Sequence, residues 1–171
     1  MGGAKRESAL FKPGNAKRGK WPLVIRFHGA SGQVWPGIRN EYWVTLAGQE
    51  NLNVLQPQAA SDQYLSYTYW NAGSGPHCDD AQLFRVMLDA VVASEDINTN
   101  RIYISGMSSG GQLVFHTAQA LHDRVAAVAP IAASIVTTPD VLSTCNLRRP
   151  MPLIGWHCGR SHLEQVDLVM R

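Results

Sequence analysis

Ser108 is the residue best placed by its neighbours for nucleophilic chemistry. It sits in Gly106-Met107-Ser108-Ser109-Gly110, a G-x-S-x-G spacing, with a further glycine at Gly111. A serine hydroxyl attacks a carbonyl well only when it stands clear of the chain, near donors for the resulting oxyanion. Glycine at 106 and 110 meets the first need, because the missing Cβ lets the backbone turn sharply and lift the central side chain above a sheet. The Ser109 amide meets the second. It opens a helix and points toward charge developing at the serine. The spelling alone is common, and a Gly/Ser-rich connecting loop would share it. The context favours a nucleophile elbow. Ile102-Tyr103-Ile104 precedes it as a strand, and Leu113, Val114, Phe115, Thr117, Ala118 and Leu121 follow at mostly three- and four-residue spacings.

The elements that must hold this serine follow from the rest of the pattern. Trp21-Pro22 leads into Leu23-Val24-Ile25-Arg26-Phe27, a run suited to a buried strand. It ends in His28-Gly29-Ala30-Ser31-Gly32-Gln33, a glycine-rich loop where an open α/β sheet places ligand contacts. Ala30 is the candidate for the second oxyanion donor. His28 reads as a brace for that loop rather than a base. Asn40 to Gln49 has the pattern of a helix, and Leu52 to Gln56 that of a strand closed by Pro57. A long loop follows, Gln58 to His77, dense in aromatics from Tyr64 to Trp70. Tyr67 and Trp70 are its candidates for an apolar substrate wall; packing over the sheet edge is the equal alternative. Asp79-Asp80 caps a helix over Ala81 to Ala93, which is a better account of these acids than a catalytic one. Asp96 to Asn100 reads as a polar turn, Val125 to Ala129 as a buried strand ending at Pro130, and Met151 to His157 as a last strand. Strand and helix alternate, so a mostly parallel α/β sheet is expected.

Composition narrows the class. The chain has 171 residues, 45% hydrophobic and 16% charged, which allows one globular domain with a real core. Net charge is +2, but residues 1–26 carry seven of the fifteen Lys/Arg and one acid. That makes residues 1–20 a basic arm, expected as a solvated tail or irregular edge segment, and 21–171 the single domain. Nothing else points to nucleic acid. No signal core lies near Met1 and no apolar run spans a membrane. Cys78, Cys145 and Cys158 match no zinc spacing; one bridge with a free thiol, or three free thiols, both fit.

Taken together, PLVIRFHGASGQ, LNVLQPQ, CDDAQLFRVMLDAV, RIYISGMSSGGQ and RVAAVAPIAAS resemble α/β-hydrolases of the secreted polyhydroxybutyrate depolymerase and feruloyl/acetyl esterase type. The resemblance covers most of Trp21 to His157. It implies an α/β-hydrolase fold with helices on both faces, an extracellular protein, and hydrolysis of a small or polymeric ester through an acyl-enzyme. Ser108 matches the nucleophile; Ala30 and Ser109 match the oxyanion positions. No metal or organic cofactor is implied.

The tail departs from that pattern. The strand after the elbow unit should read roughly H-G-T-x-D, with the Asp as triad acid. Here it reads His157-Cys158-Gly159-Arg160-Ser161, and the Asp position falls on Ser161. The family histidine, several tens of residues later, has no counterpart before Arg171. The expectation is a truncated or frame-shifted chain that lacks the last strand and helix. Its sheet would end on an open edge after Leu153 to Trp156, inviting self-association. His157 and His162 are the remaining candidates for the base, with Glu164 or Asp167 to orient one of them. His116 and His122 lie on the elbow helix, away from its serine end. An esterase, a non-catalytic remnant or binding module, and a serine peptidase on the same fold all remain open.

Overall fold

The first apolar run becomes the middle of the molecule. The computed structural model describes residues 6–14, 19–32, 38–62, 67–70, 80–133, 149–158 and 163–170. In chain order its elements are β1 (Ser8–Phe11), β2 (Trp21–Phe27), α1 (Ile38–Glu50), β3 (Asn53–Pro57), β4 (Ala60–Asp62) and β5 (Tyr67–Tyr69). Then come α2 (Asp80–Ser94), β6 (Ile97–Met107), α3 (Ser109–Ala120), β7 (Ala127–Ile131), β8 (Met151–Cys158) and β9 (Leu163–Met170). A seven-stranded sheet has the order β1-β3-β2-β6-β7-β8-β9. β3, β2, β6, β7 and β8 run parallel, while β1 and β9 pair antiparallel at the edges.

The chain leaves β2 toward β3 on one side and returns to β6 on the other. Strand order therefore reverses between β2 and β6, the switch point at whose carboxyl ends open α/β sheets place their ligand contacts. Right-handed crossovers then put α1 on one face and both α2 and α3 on the other. α2 packs against α3 accordingly, and α1 against β1 and β3. Leu23, Ile25 and Phe27 of β2 share one core with Ile102 and Ile104 of β6, Phe84 and Leu88 of α2, and Leu113, Val114 and Ala118 of α3. Each large side chain buried there contributes about 1.5–3 kcal/mol, so Ser108 stands on a well-packed floor. No helix among the described residues is long and apolar enough to cross a membrane.

Four local expectations need correction. The basic arm is not simply a tail: Ser8–Phe11 pairs with β3, and Ala9 enters the core. Ion pairs anchor it at both sides, Arg6 to Asp80 at 2.8 Å and Lys12 to Glu95 at 2.8 Å. Second, the polar run Ile97 to Asn100 belongs to β6. Ile97 pairs with Trp21 and is buried, and the polar residues after it project beyond the core, so their polarity costs nothing. Third, β7 runs through Pro130. Its ladder to β8 joins Val128 to Leu153 and Ile131 to Trp156, and the proline, with no N–H to donate, sits in the gap between them. Fourth, the β8 edge is not open. β9 pairs along its whole length, from Met151–Met170 to Cys158–Leu163. Val166, Leu168 and Met170 recur at a strand's period of two, a signal that does not depend on resembling any family. Cys78 and Cys145 lie outside the described residues.

Candidate functional site

Ser108 stands between the end of β6 and the start of α3, with φ 54° and ψ −120°. That is a left-handed, strained conformation for a residue with a Cβ. Two hydrogen bonds over-determine it. Its N–H donates to Ile131 O at 2.9 Å, and its carbonyl accepts from Gln112 N–H at 3.0 Å. The glycines explain the close fit. A Cβ at Gly110 would lie 2.6 Å from Phe27 O and closer still to His28 O; one at Gly106 would strike Gly110 O. The first turn of α3 is thus pressed onto the end of β2. Gly111 plays the same part toward β7, where a Cβ would lie 2.5 Å from Ala133 Cβ.

The loop after β2 lies against the serine. A Cβ at Gly29 would be 3.5 Å from Ser108 Cβ and 3.4 Å from Met107 O. Ala30 follows directly. Among the described residues, neither the Ala30 amide nor the Ser109 amide donates to a main-chain acceptor. His28 is buried beneath this loop. Its Nδ1–H donates to Gly29 O at 2.7 Å, and its Nε2 accepts from Ala59 N–H at 3.1 Å, so one neutral tautomer is selected. Burial pushes its pKa below 6.5, Arg26 adds to that, and the bond to Gly29 opposes it. With both ring nitrogens engaged, His28 braces the loop and has no lone pair for Ser108.

The other named residues divide. Trp70 does not offer its ring to a substrate. It is 1% exposed, its ring centroid lies 5.4 Å from Phe27 and 4.7 Å from His28, and its Nε1–H donates to His28 O at 2.6 Å. A large ring in an aromatic-rich stretch satisfies its apolar area best inside the core, so packing wins here. The side chains of Tyr67 and His157, and the whole of His162, lie outside the described residues. The backbone of His157 is one step past Trp156, in the row Met107–Ile131–Trp156. It is therefore level with Ser108 and two strand spacings away, about 10 Å. Opposite it in the β8–β9 register stands Glu164. Asp80 is fully buried at the start of α2 and paired with Arg6, in keeping with a structural role.

Sequence reading passed over several neighbours. Tyr69 is 39% exposed, and its hydroxyl donates toward Gln112 Oε1 at 3.5 Å on the first turn of α3. Met107 is also exposed. Gln58 and Thr68 bond to the 28–32 loop. Only the fold brings β5 beside that loop, so no local pattern announced them. A cavity of about 420 Å³ lined by Arg85, His122, Asp123 and Arg149 lies at the far end of α3. There Arg85 donates to Ala120 O, and Arg149 to His122 O and Val125 O, closing the helix terminus. No metal-binding group of His, Cys, Asp or Glu exists among the described residues.

A mostly parallel sheet flanked by helices, with a serine on the turn at its switch point, defines the α/β-hydrolase class. Within that class the chain belongs to the family described as Esterase PHB depolymerase, which matches residues 7–149. It is 26% identical over 155 residues, 91% of its length, to a bifunctional acetylxylan esterase/xylanase of Neocallimastix patriciarum. It is 30% identical over 90 residues, 51% of its length, to feruloyl esterase B of Piromyces equi. The chain spans 21% and 16% of those two proteins. In fold it is similar to an acetyl xylan esterase from Aspergillus awamori, with TM-score 0.59, 16% identity, and coverage of 72% of this chain and 45% of that one.

Proposed function

We propose that this chain carries the catalytic core of a serine carboxylic-ester hydrolase. The observation that carries the reading is Ser108 itself, held at φ 54° against Gly29 at the carboxyl ends of β2 and β6. Its Oγ attacks the ester carbonyl while a histidine takes the hydroxyl proton, and the Ala30 and Ser109 amides hold the oxyanion. The histidine returns that proton to the departing alcohol. Water, deprotonated by the same base, then releases the acid and restores Ser108. The substrate class is an acetyl, feruloyl or hydroxyalkanoate ester, free or on a polymer, by analogy with the family and its esterase relatives. The same analogy supports an extracellular location. His157 is the preferred base because its backbone shares the level of Ser108.

Serine hydroxyls are hardly ionised at neutral pH, so the rate depends on that base. With Ser161 where the family pattern has Asp, turnover of nitrophenyl acetate should be weak. Loss of triad members still leaves about 10³-fold acceleration over water in triad enzymes. The same substitution favours a second reading, a pocket that binds esters without turning them over. Labelling with a fluorophosphonate, followed by peptide mass analysis, separates the two. Covalent capture on Ser108 and its loss in Ser108→Ala support the hydrolase; no capture beside measurable ester binding supports the second reading. Replacing His157 and His162 separately identifies the base.

A further inference from the structure

The geometry points to Thr68 and Gln58 as positioning residues that hold the Ala30 loop at the distance an oxyanion donor needs; the inference rests on the esterase reading of Ser108. Ala30 lies at the crown of a tight turn. Gly32 N–H donates to Gly29 O at 3.0 Å, and Ser31 between them has φ 60°. A turn of this kind, with two left-handed or glycine positions, has little stiffness of its own. Its shape comes from outside. Thr68 grips it twice: Ser31 N–H donates to Thr68 O at 3.0 Å, and Thr68 Oγ1 donates to Gly32 O at 2.8 Å. This joins the turn to β5 like a short strand pair.

Gln58 grips it from below. Its Nε2 donates to Gly32 O at 3.2 Å and lies 3.2 Å from His28 Nε2, whose single lone pair is shared with Ala59 N–H. His28 Nε2 is unprotonated because Ala59 N–H donates to it, which leaves the ring proton on Nδ1 for Gly29 O. Gly32 must itself be glycine, since a Cβ there would lie 2.5 Å from His28 Nδ1. One carbonyl, Gly32 O, is therefore the point where both clamps meet. The Ser109 amide belongs to α3 and takes no part, so loosening the clamp should degrade one oxyanion donor and spare the other. Oxyanion donors act on the transition state, and the loss should fall on kcat with KM little changed.

The test uses the full chain with Thr68→Val, Gln58→Leu and, as rescue, Thr68→Ser. Two readouts are taken: nitrophenyl acetate kinetics beside Ser108→Ala, and hydrogen exchange at the Ser31 and Ser109 amides. Exchange at Ser31 should rise about tenfold in Thr68→Val, the factor one net hydrogen bond supports, with Ser109 unchanged. The Ser108-dependent kcat should fall about tenfold, short of the roughly 10²–10³ that deleting an oxyanion donor costs. Thr68→Ser, which keeps the hydroxyl, should restore both. Unchanged Ser31 exchange, or lower thermal stability with normal kcat in the folded protein, overturns the inference. If the parent and Ser108→Ala turn over equally, it is the esterase reading that falls; Ser31 exchange alone then decides the clamp.

Discussion

At Ser108 stability and chemistry conflict. A non-glycine residue at φ 54°, ψ −120° costs on the order of 1–3 kcal/mol. Ser108→Gly should therefore raise the unfolding free energy by about 1 kcal/mol in urea titration, while Ser108→Ala, which keeps the Cβ, should leave it nearly unchanged. A Ser108→Gly no more stable than Ser108→Ala would show that the turn is unstrained. Gly110→Ala should do the opposite. Its Cβ meets the backbone carbonyls of Phe27 and His28, which cannot swing aside, and a loss of about 2 kcal/mol or more is expected. His28 brings a pH dependence. Its folded pKa lies below 6.5, so the folded state prefers the neutral ring. The stabilisation is fully present above 6.5 and is lost as pH falls from there through the folded value. The stability difference between the parent and His28→Gln should shrink over that range, and a constant difference from pH 7 to 5 would rule this out.

Among the elements, β1 and its two ion pairs invite a comparison. Arg6 and Asp80 have side chains 14% and 1% exposed, whereas Lys12 is 55% exposed. Removing a hydrogen-bonded charge from a buried carboxylate costs about 1.5–3 kcal/mol, and exposed pairs contribute about 0.2–1. Arg6→Met should therefore lower stability several times more than Lys12→Met in the same denaturant series. Equal losses would mean that β1 is held by its strand pairing alone. The arm reads as basic and solvated because its charges are conspicuous in sequence. What makes it a strand is the unpaired outer edge of β3 and a place in the core for Ala9. Trp70 went the same way. An aromatic-rich stretch looks like a binding wall until Phe27, Phe84 and His28 are seen to surround that ring.

For the whole molecule, the two antiparallel edge strands close what the parallel core leaves open. β8 presents Leu153 to the core and would carry unpaired backbone along its outer side without β9. Removing residues 159–171 should expose that ladder and drive association at micromolar concentration, seen as a rise in scattering mass. If the shortened chain scatters like the intact one, β9 is not what protects the edge.

The periodicities of β2, α2 and α3, the glycines around Ser108 and the parallel α/β class were all legible in the chain, because each depends on neighbours within a helical turn or a strand's length. The spelling of the turn from Gly106 to Gly110 belongs to that group too, although Ile131 O and the carbonyls of Phe27 and His28 are what hold it in place. The clamp on Ala30, the fate of Trp70, the strand at Ser8 to Phe11 and the pairing of β9 were decided only by the tertiary structure. Each depends on a partner some thirty to fifty residues away or on an edge left unpaired by the sheet order, and no local pattern encodes which groups such folding brings together.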